Sequence, residues 1–210
     1  MPAEAARIVD LYRRHAAAFI AQRSRRMSER GWLDRFRALL PPDGRVLDLG
    51  CGFGEPIART LVAQGHGVTG LDTAPALLAE ARRAMPAQEW LLGDMREVSL
   101  GRRFAGILAW DSFFHLDHDD QRRMFPRFAA HAAPGAALMF TSGPARGEAI
   151  GQWQGEALYH ASLDAADYAA LLAAHGFVLR AHVVEDPGAE GRTVWLAQRA
   201  ATGATGPQSG

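Results

Sequence analysis

Cysteine is nearly absent from this chain. Cys51 is the only one in 210 residues, which excludes a disulfide framework and a cluster of thiolate metal ligands and suits a reducing compartment. Net charge is absent too: Lys plus Arg and Asp plus Glu balance at 23 each, so no overall field draws the chain to nucleic acid or to an anionic membrane. No apolar run reaches the ~20 residues of a membrane-spanning helix, and the N-terminus lacks the basic, apolar and small-residue order of a secretion signal. The expectation is a cytoplasmic protein with neither nucleic acid nor membrane as partner; no oligomeric state is read from the sequence. The basic run Arg23-Ser24-Arg25-Arg26 reads as a solvated helix face. There is no internal repeat.

Hydrophobic residues make up 48% of the chain, enough for one buried core and short of two independent ones. Apolar residues recur at helical spacing over residues 3–40 (Ile8, Leu11, Tyr12, Ala16, Phe19, Ile20, then Trp32, Leu33, Phe36, Leu39). This predicts a core role for Tyr12 and solvent for Arg23. Pro41-Pro42-Asp43-Gly44 then breaks the helix. Strand and helix signals alternate from there: strands at 45–49, 67–71, 89–92, 104–110 and 136–141, with helices near 55–64, 75–85 and 119–131. A further helix at 162–175 precedes two strands, 177–184 and 193–198, joined by the turn-rich Asp186–Gly191. The pattern predicts a doubly wound α/β sheet preceded by N-terminal helices. Residues 200–210, rich in Gly, Ala, Thr and Ser, read as a disordered tail.

The most informative stretch is Asp48-Leu49-Gly50-Cys51-Gly52-Phe53-Gly54-Glu55, a buried strand entering a three-glycine turn. Glycines spaced two apart let the backbone turn sharply and approach a ligand closely. A dinucleotide fingerprint needs its third glycine where Glu55 stands, and a carboxylate at a helix start opposes a pyrophosphate. Asp48 adds a second negative charge, so the turn suits a cationic ligand. The run resembles the first motif of class I S-adenosylmethionine-dependent methyltransferases, whose cofactor carries an ammonium and a sulfonium but no phosphate.

That resemblance covers roughly residues 44–199 and implies a Rossmann-like, seven-stranded, mostly parallel sheet with an antiparallel last strand. It divides the chain into a helical cap at 1–43, a cofactor-binding domain at 44–199 and the tail. S-adenosylmethionine is the implied cofactor, with Asp48, Gly50, Cys51, Gly52 and Gly54 in the turn. Asp72 and Thr73 follow the second strand, about twenty residues on, where a ribose diol would be held. Asp94 and Met95 follow the third strand, for the adenine, and Trp110 ends the fourth. Related enzymes often cover the cofactor with an N-terminal helix, which would bring Tyr12 and Arg23 to its methionine end.

The fourth strand runs into Trp110-Asp111-Ser112-Phe113-Phe114-His115, at the sheet edge where an acceptor would sit. Amino-methyltransferases of macromolecules often carry Asn-Pro-Pro-Tyr here. Its absence, with the neutral charge, points instead to a small-molecule acceptor and to the small bacterial members of the family. Methyl transfer to O, N or S is an in-line displacement that depends chiefly on positioning, with a base required only for a protonated nucleophile. His115 is the candidate base, since imidazole titrates near neutrality, and it reads equally as a packing residue. Asp111 is the candidate orienting acid, or a partner for buried backbone amides. The link of about seventeen residues after the fifth strand is longer than most and reads as a lid, with Trp153, Tyr159 and His160 joining Phe113 and Phe114 around the acceptor.

The alternation of His and Asp over 115–120 raises a metal site, but acids at 119 and 120 suit a helix N-terminus, and no metal is expected. A module that binds the cofactor without turnover, or a methyltransferase of protein or nucleic acid, stand as alternative functions.

Overall fold

The computed structural model describes residues 2–24 and 27–201. Arg25, Arg26 and most of the expected tail lie outside them. Helices α1 (Ala3–Arg14), α2 (Ala16–Gln22) and α3 (Arg30–Arg37) precede a seven-stranded sheet. Strands β1 (Val46–Leu49), β2 (Val68–Asp72), β3 (Glu89–Leu92), β4 (Phe104–Ala109) and β5 (Ala132–Ser142) pair in parallel. They alternate with α4 (Ile57–Ala63), α5 (Pro75–Ala84) and α6 (His118–His131). After α7 (Ala165–Ala174), β8 (Phe177–Asp186) and β9 (Arg192–Arg199) complete the sheet in the order β3-β2-β1-β4-β5-β9-β8. The last strand, β9, runs antiparallel to both neighbours, as expected.

Alternation along the strands sends successive side chains to opposite faces. Leu138 and Phe140 face α6 and α7, in a core with Phe113, Phe125, Phe128 and Tyr168. Ala137 and Met139 face the other way, with Val46, Leu108 and Leu196, against Trp32, Leu33 and Phe36 of α3 and Leu61 of α4. Met139 and Trp195 are core residues. Helix α3 therefore belongs to the sheet's own core, whereas α1 packs on a separate cluster with Tyr159 and Ala161.

The long link read as a lid forms a β-hairpin. Strands β6 (Gly147–Trp153) and β7 (Glu156–Ser162) pair antiparallel around Gln154 and Gly155, both at positive φ, which is what a two-residue hairpin turn needs. Gln121, fully buried, ties this hairpin to α6: its amide donates to the Leu116 and Ala161 carbonyls at 2.8 Å each, and its carbonyl accepts from the Tyr168 hydroxyl. Asp117 caps α6 by accepting from the Asp120 N–H at 2.7 Å, so a helix start explains the acids there. No helix among the described residues is long and apolar enough to cross a membrane.

Candidate active site

In an open α/β sheet, ligands bind beyond the carboxyl ends of the strands. Here those ends, with α1, α2 and the hairpin above them, enclose a cavity of about 530 Å³, within the usual range for small-molecule sites of about 300–1,000 Å³. The glycine turn forms its floor. Gly50 and Cys51 donate to the Leu71 carbonyl at 2.8 and 3.2 Å, which folds the turn over β2. Gly50, Gly52 and Gly54 all have positive φ, and Phe19 of α2 lies over Gly52.

Two acids flank the turn. Asp72 is buried, and its two oxygens accept from the Gly52 and Ala74 N–H groups at 2.8 and 2.9 Å. Burial raises its pKa, and those N–H groups act against the rise. Asp48 shares the strand face of Val46 and is also buried, yet its carboxylate accepts no hydrogen bond from any described residue. Burial, reinforced by Asp72 and opposed by Arg23, pushes its pKa up to about 7. Around them Thr73, Met95 and Trp110 line the cavity, and Glu55 does so while paired with Arg59. Burial keeps the Cys51 sulfur a thiol by raising its pKa. Asp94 lies on the same wall and takes a bidentate ion pair from Arg96. Burial would raise its pKa, but the guanidinium and the Arg96 N–H outweigh that and hold it below the ordinary range.

The expected catalytic pair is differently employed. His115 is buried, with Nδ1 2.8 Å from the Tyr159 carbonyl and Nε2 3.0 Å from the Tyr12 hydroxyl. The carbonyl can only accept, so the proton sits on Nδ1 and Nε2 accepts from Tyr12. Burial drives the His115 pKa down to about 4, and its ring is a neutral, fully committed bridge between α1 and β7. Asp111 is held by Arg192 through two bonds of 2.7 and 2.8 Å, and Arg23 adds a longer contact at 3.5 Å while it pairs with buried Glu29 at 2.9 Å. Both carboxylate oxygens are thus taken up by guanidinium groups.

The residues expected around an acceptor are only partly brought together. Phe114 and His160 line the cavity, but Phe113 points into the aromatic core. Tyr159 is buried against α1. Trp153 stands one layer behind, beside Tyr12 and Phe19, with its indole N–H on Gln22. Tyr12 and Arg23, expected in the core and in solvent, both line the cavity. Ser112 and Arg192 join them without having been singled out. Ser112 was within reach of sequence reasoning, in the run after β4; Arg192 had no local signal. No three His, Cys, Asp or Glu side chains among the described residues are grouped to hold a metal ion.

A family model described as a methyltransferase domain matches residues 12–182. The chain belongs to that family. Members similar to it include the dTDP-3-amino-3,6-dideoxy-α-D-glucopyranose N,N-dimethyltransferase of Streptomyces fradiae, 36% identical over 101 residues, or 47% of this chain and 39% of that protein. The chain spans about two-fifths of the length of the curated relatives it matches. Among methyltransferases of known structure, the S-adenosylmethionine-bound amino pentose methyltransferase CalS10 from Micromonospora echinaspora superposes with a TM-score of 0.68 at 24% identity, covering 89% of this chain and 96% of its own. The 1,6-didemethyltoxoflavin-N1-methyltransferase of Burkholderia thailandensis, solved with its substrate and S-adenosylhomocysteine, gives 0.72 at 19%, covering 95% and 92%. At such identities the likeness establishes the Rossmann-like methyltransferase fold.

Proposed function

We propose that this chain is a cytoplasmic enzyme that transfers a methyl group from S-adenosylmethionine to a small-molecule acceptor. The observation carrying this is Asp48: a buried carboxylate beside a three-glycine turn, on a cavity wall, with no hydrogen-bond donor among the described residues. A buried charge requires a partner, and a cationic ligand supplies one. The residues present fit the cofactor. Asp48 takes the ammonium, and Asp72, fixed by two backbone N–H groups, has lone pairs left for ribose hydroxyls. Asp94 and Met95 border the adenine, and Thr73 and Trp110 complete its walls. Arg23 lies at the methionine end for the carboxylate. When bound, the sulfonium supplies an electrophilic methyl group. The protein's part is to exclude water with α1 and the hairpin and to hold the acceptor in line, against the wall of Tyr12, Phe114, His115 and His160.

Calorimetry with S-adenosylmethionine tests the binding, and incubation with labelled cofactor and a metabolite extract tests the transfer. A labelled small molecule is expected. Binding without any product would make the chain a cofactor-sensing module, and labelled protein or nucleic acid would move the acceptor to another class. Asp72→Ala is expected to weaken cofactor binding by about 1–3 kcal/mol, through lost charge-assisted hydrogen bonds. An unchanged dissociation constant would remove Asp72 from the ribose site.

A further inference from the structure

We infer that His160, on β7, is the general base that removes the acceptor's proton. The inference rests on the methyl-transfer reading above and adds to it a catalytic group that local sequence signals had assigned elsewhere.

Six of the chain's eight imidazoles are committed to hydrogen bonds. Both nitrogens of His115 are used, as described. His118 reaches the Gly147 and Ser162 carbonyls, and His131 bonds the Leu100 N–H and the Arg127 carbonyl. His15 pairs with Glu156, and His66 and His175 bond backbone carbonyls. Only His160 and His182 make no hydrogen bond to a described residue. His182 stacks on Trp195 at 3.6 Å and does not line the cavity. His160 does line it, and its ring is held 5.0 Å from Phe114 and 4.9 Å from His115. Packing thus fixes the ring while leaving its nitrogens unclaimed.

The alternatives on the wall are weaker. Asp111 is clamped by arginines, Asp94 by Arg96, and Asp120 by Arg96 and Arg123. Burial, with Asp111 and Asp72 nearby, raises the Tyr12 pKa, so the phenol stays protonated. Asp48 is unpaired, but it stands beside the glycine turn, on the cofactor's side. The groups facing His160 are Phe114 and His115 from the turn at 113–115 and Asp111 from the turn after β4, while β6 sets uncharged Ala149 opposite it. Burial lowers the His160 pKa and Asp111 acts to raise it. The ring is therefore a free base at neutral pH, and the imidazolium formed during turnover gains a nearby negative charge.

The step balances without a further reactant. The lone pair of the acceptor's O, N or S attacks the methyl carbon as the carbon–sulfur bond breaks. The bonding pair stays on sulfur, giving a neutral thioether. The acceptor's proton passes to His160, so the positive charge that began on sulfur ends on imidazole and leaves to solvent when product departs.

The test uses labelled S-adenosylmethionine with a metabolite extract below about 1 kDa as acceptor source, over pH 5–9. His160→Ala is expected to bind the cofactor within about twofold of wild type by calorimetry and to form labelled product at least about 10²-fold more slowly at neutral pH. The wild-type fall in rate on the acid side should be missing from its profile, and added imidazole should restore at least tenfold. His160→Gln, which keeps a polar side chain of similar reach, should behave alike without the imidazole rescue. Wild-type rates in either variant overturn the assignment. So does a slower variant that keeps the acid limb and ignores imidazole, because His160 then only shapes the wall. If wild type labels nothing while still binding the cofactor, it is the transferase reading that fails, and the base falls with it.

Discussion

Asp48→Asn should bind S-adenosylmethionine about 10- to 100-fold more weakly and yet, without ligand, melt higher than wild type at pH 8. The first half follows from losing a charge-assisted contact worth about 1.5–3 kcal/mol. The second follows from linkage. The Asp48 pKa is about 7 in the folded chain, raised by burial and by Asp72, against 3.8 for the ordinary carboxyl. The folded state therefore holds its proton more tightly than the unfolded state does. Stability from this group is fully present below pH ~4 and is lost as pH rises through ~7, by an amount on the order of 4 kcal/mol. The neutral amide does not titrate, so the difference in Tm between the two proteins should be small near pH 4 and widen up to about pH 8. Thermal melts at four or five pH values, with and without cofactor, would check both halves. Parallel melting curves, or equal affinities, would show that Asp48 is already satisfied in the folded chain. A residue that costs stability while serving binding is a common bargain at functional sites.

Gly50→Ala should be the most damaging single methyl that can be added to this chain's ligand floor. Gly50 has φ +74°, and a Cβ there would lie 2.4 Å from the Ser112 Cβ and 2.9 Å from its hydroxyl oxygen. Ser112 has no room to yield, since its hydroxyl donates to the Leu49 carbonyl at 2.7 Å while the Gly50 N–H is fastened to β2. Left-handed backbone costs a non-glycine residue about 1–2 kcal/mol, and overpacking adds about 1–3 kcal/mol. At about 2–4 °C per kcal/mol for a domain of this size, Tm should fall by about 5–15 °C, and cofactor binding should be lost with the turn. Gly52→Ala is the natural control. It also has positive φ, but its Cβ would meet only the Phe19 ring edge at 3.2 Å, which a side chain can relieve. Equal melting temperatures for the two variants would contradict this account.

The sheet was legible because each central strand is a short apolar run bounded by glycine, proline or acid, and the floor of the cavity was legible because its glycines and acids end three successive strands. The hairpin was not. Nearly all of β6 is exposed, so Gly147 to Gln152 shows no alternation to separate strand from loop, although Gln154-Gly155 is a hairpin turn signal that was there to be used. The acceptor wall was half legible. Phe113 and Phe114 are neighbours in one turn of 3-10 helix, and only the fold decides that the first enters the core and the second the cavity. Tyr12, Arg23 and Arg192 find their partners 103, 88 and 81 residues away. Such pairings leave no local periodicity. They also tie His115 and Asp111, both at the cavity as expected, to distant side chains that no local pattern could show.

The cavity's lining is divided between segments far apart in the sequence. Its floor is encoded in one continuous stretch, the glycine turn and the strand ends at 48–96, whereas its ceiling comes from the first helix and from a hairpin that begins only at residue 147. Those two pieces grip each other through the Tyr12–His115 bridge and the Glu156 contacts with Arg14 and His15. A change that loosens Tyr12 from His115 therefore also frees β7, while the turn and strand ends at 48–96 keep their own hydrogen bonds.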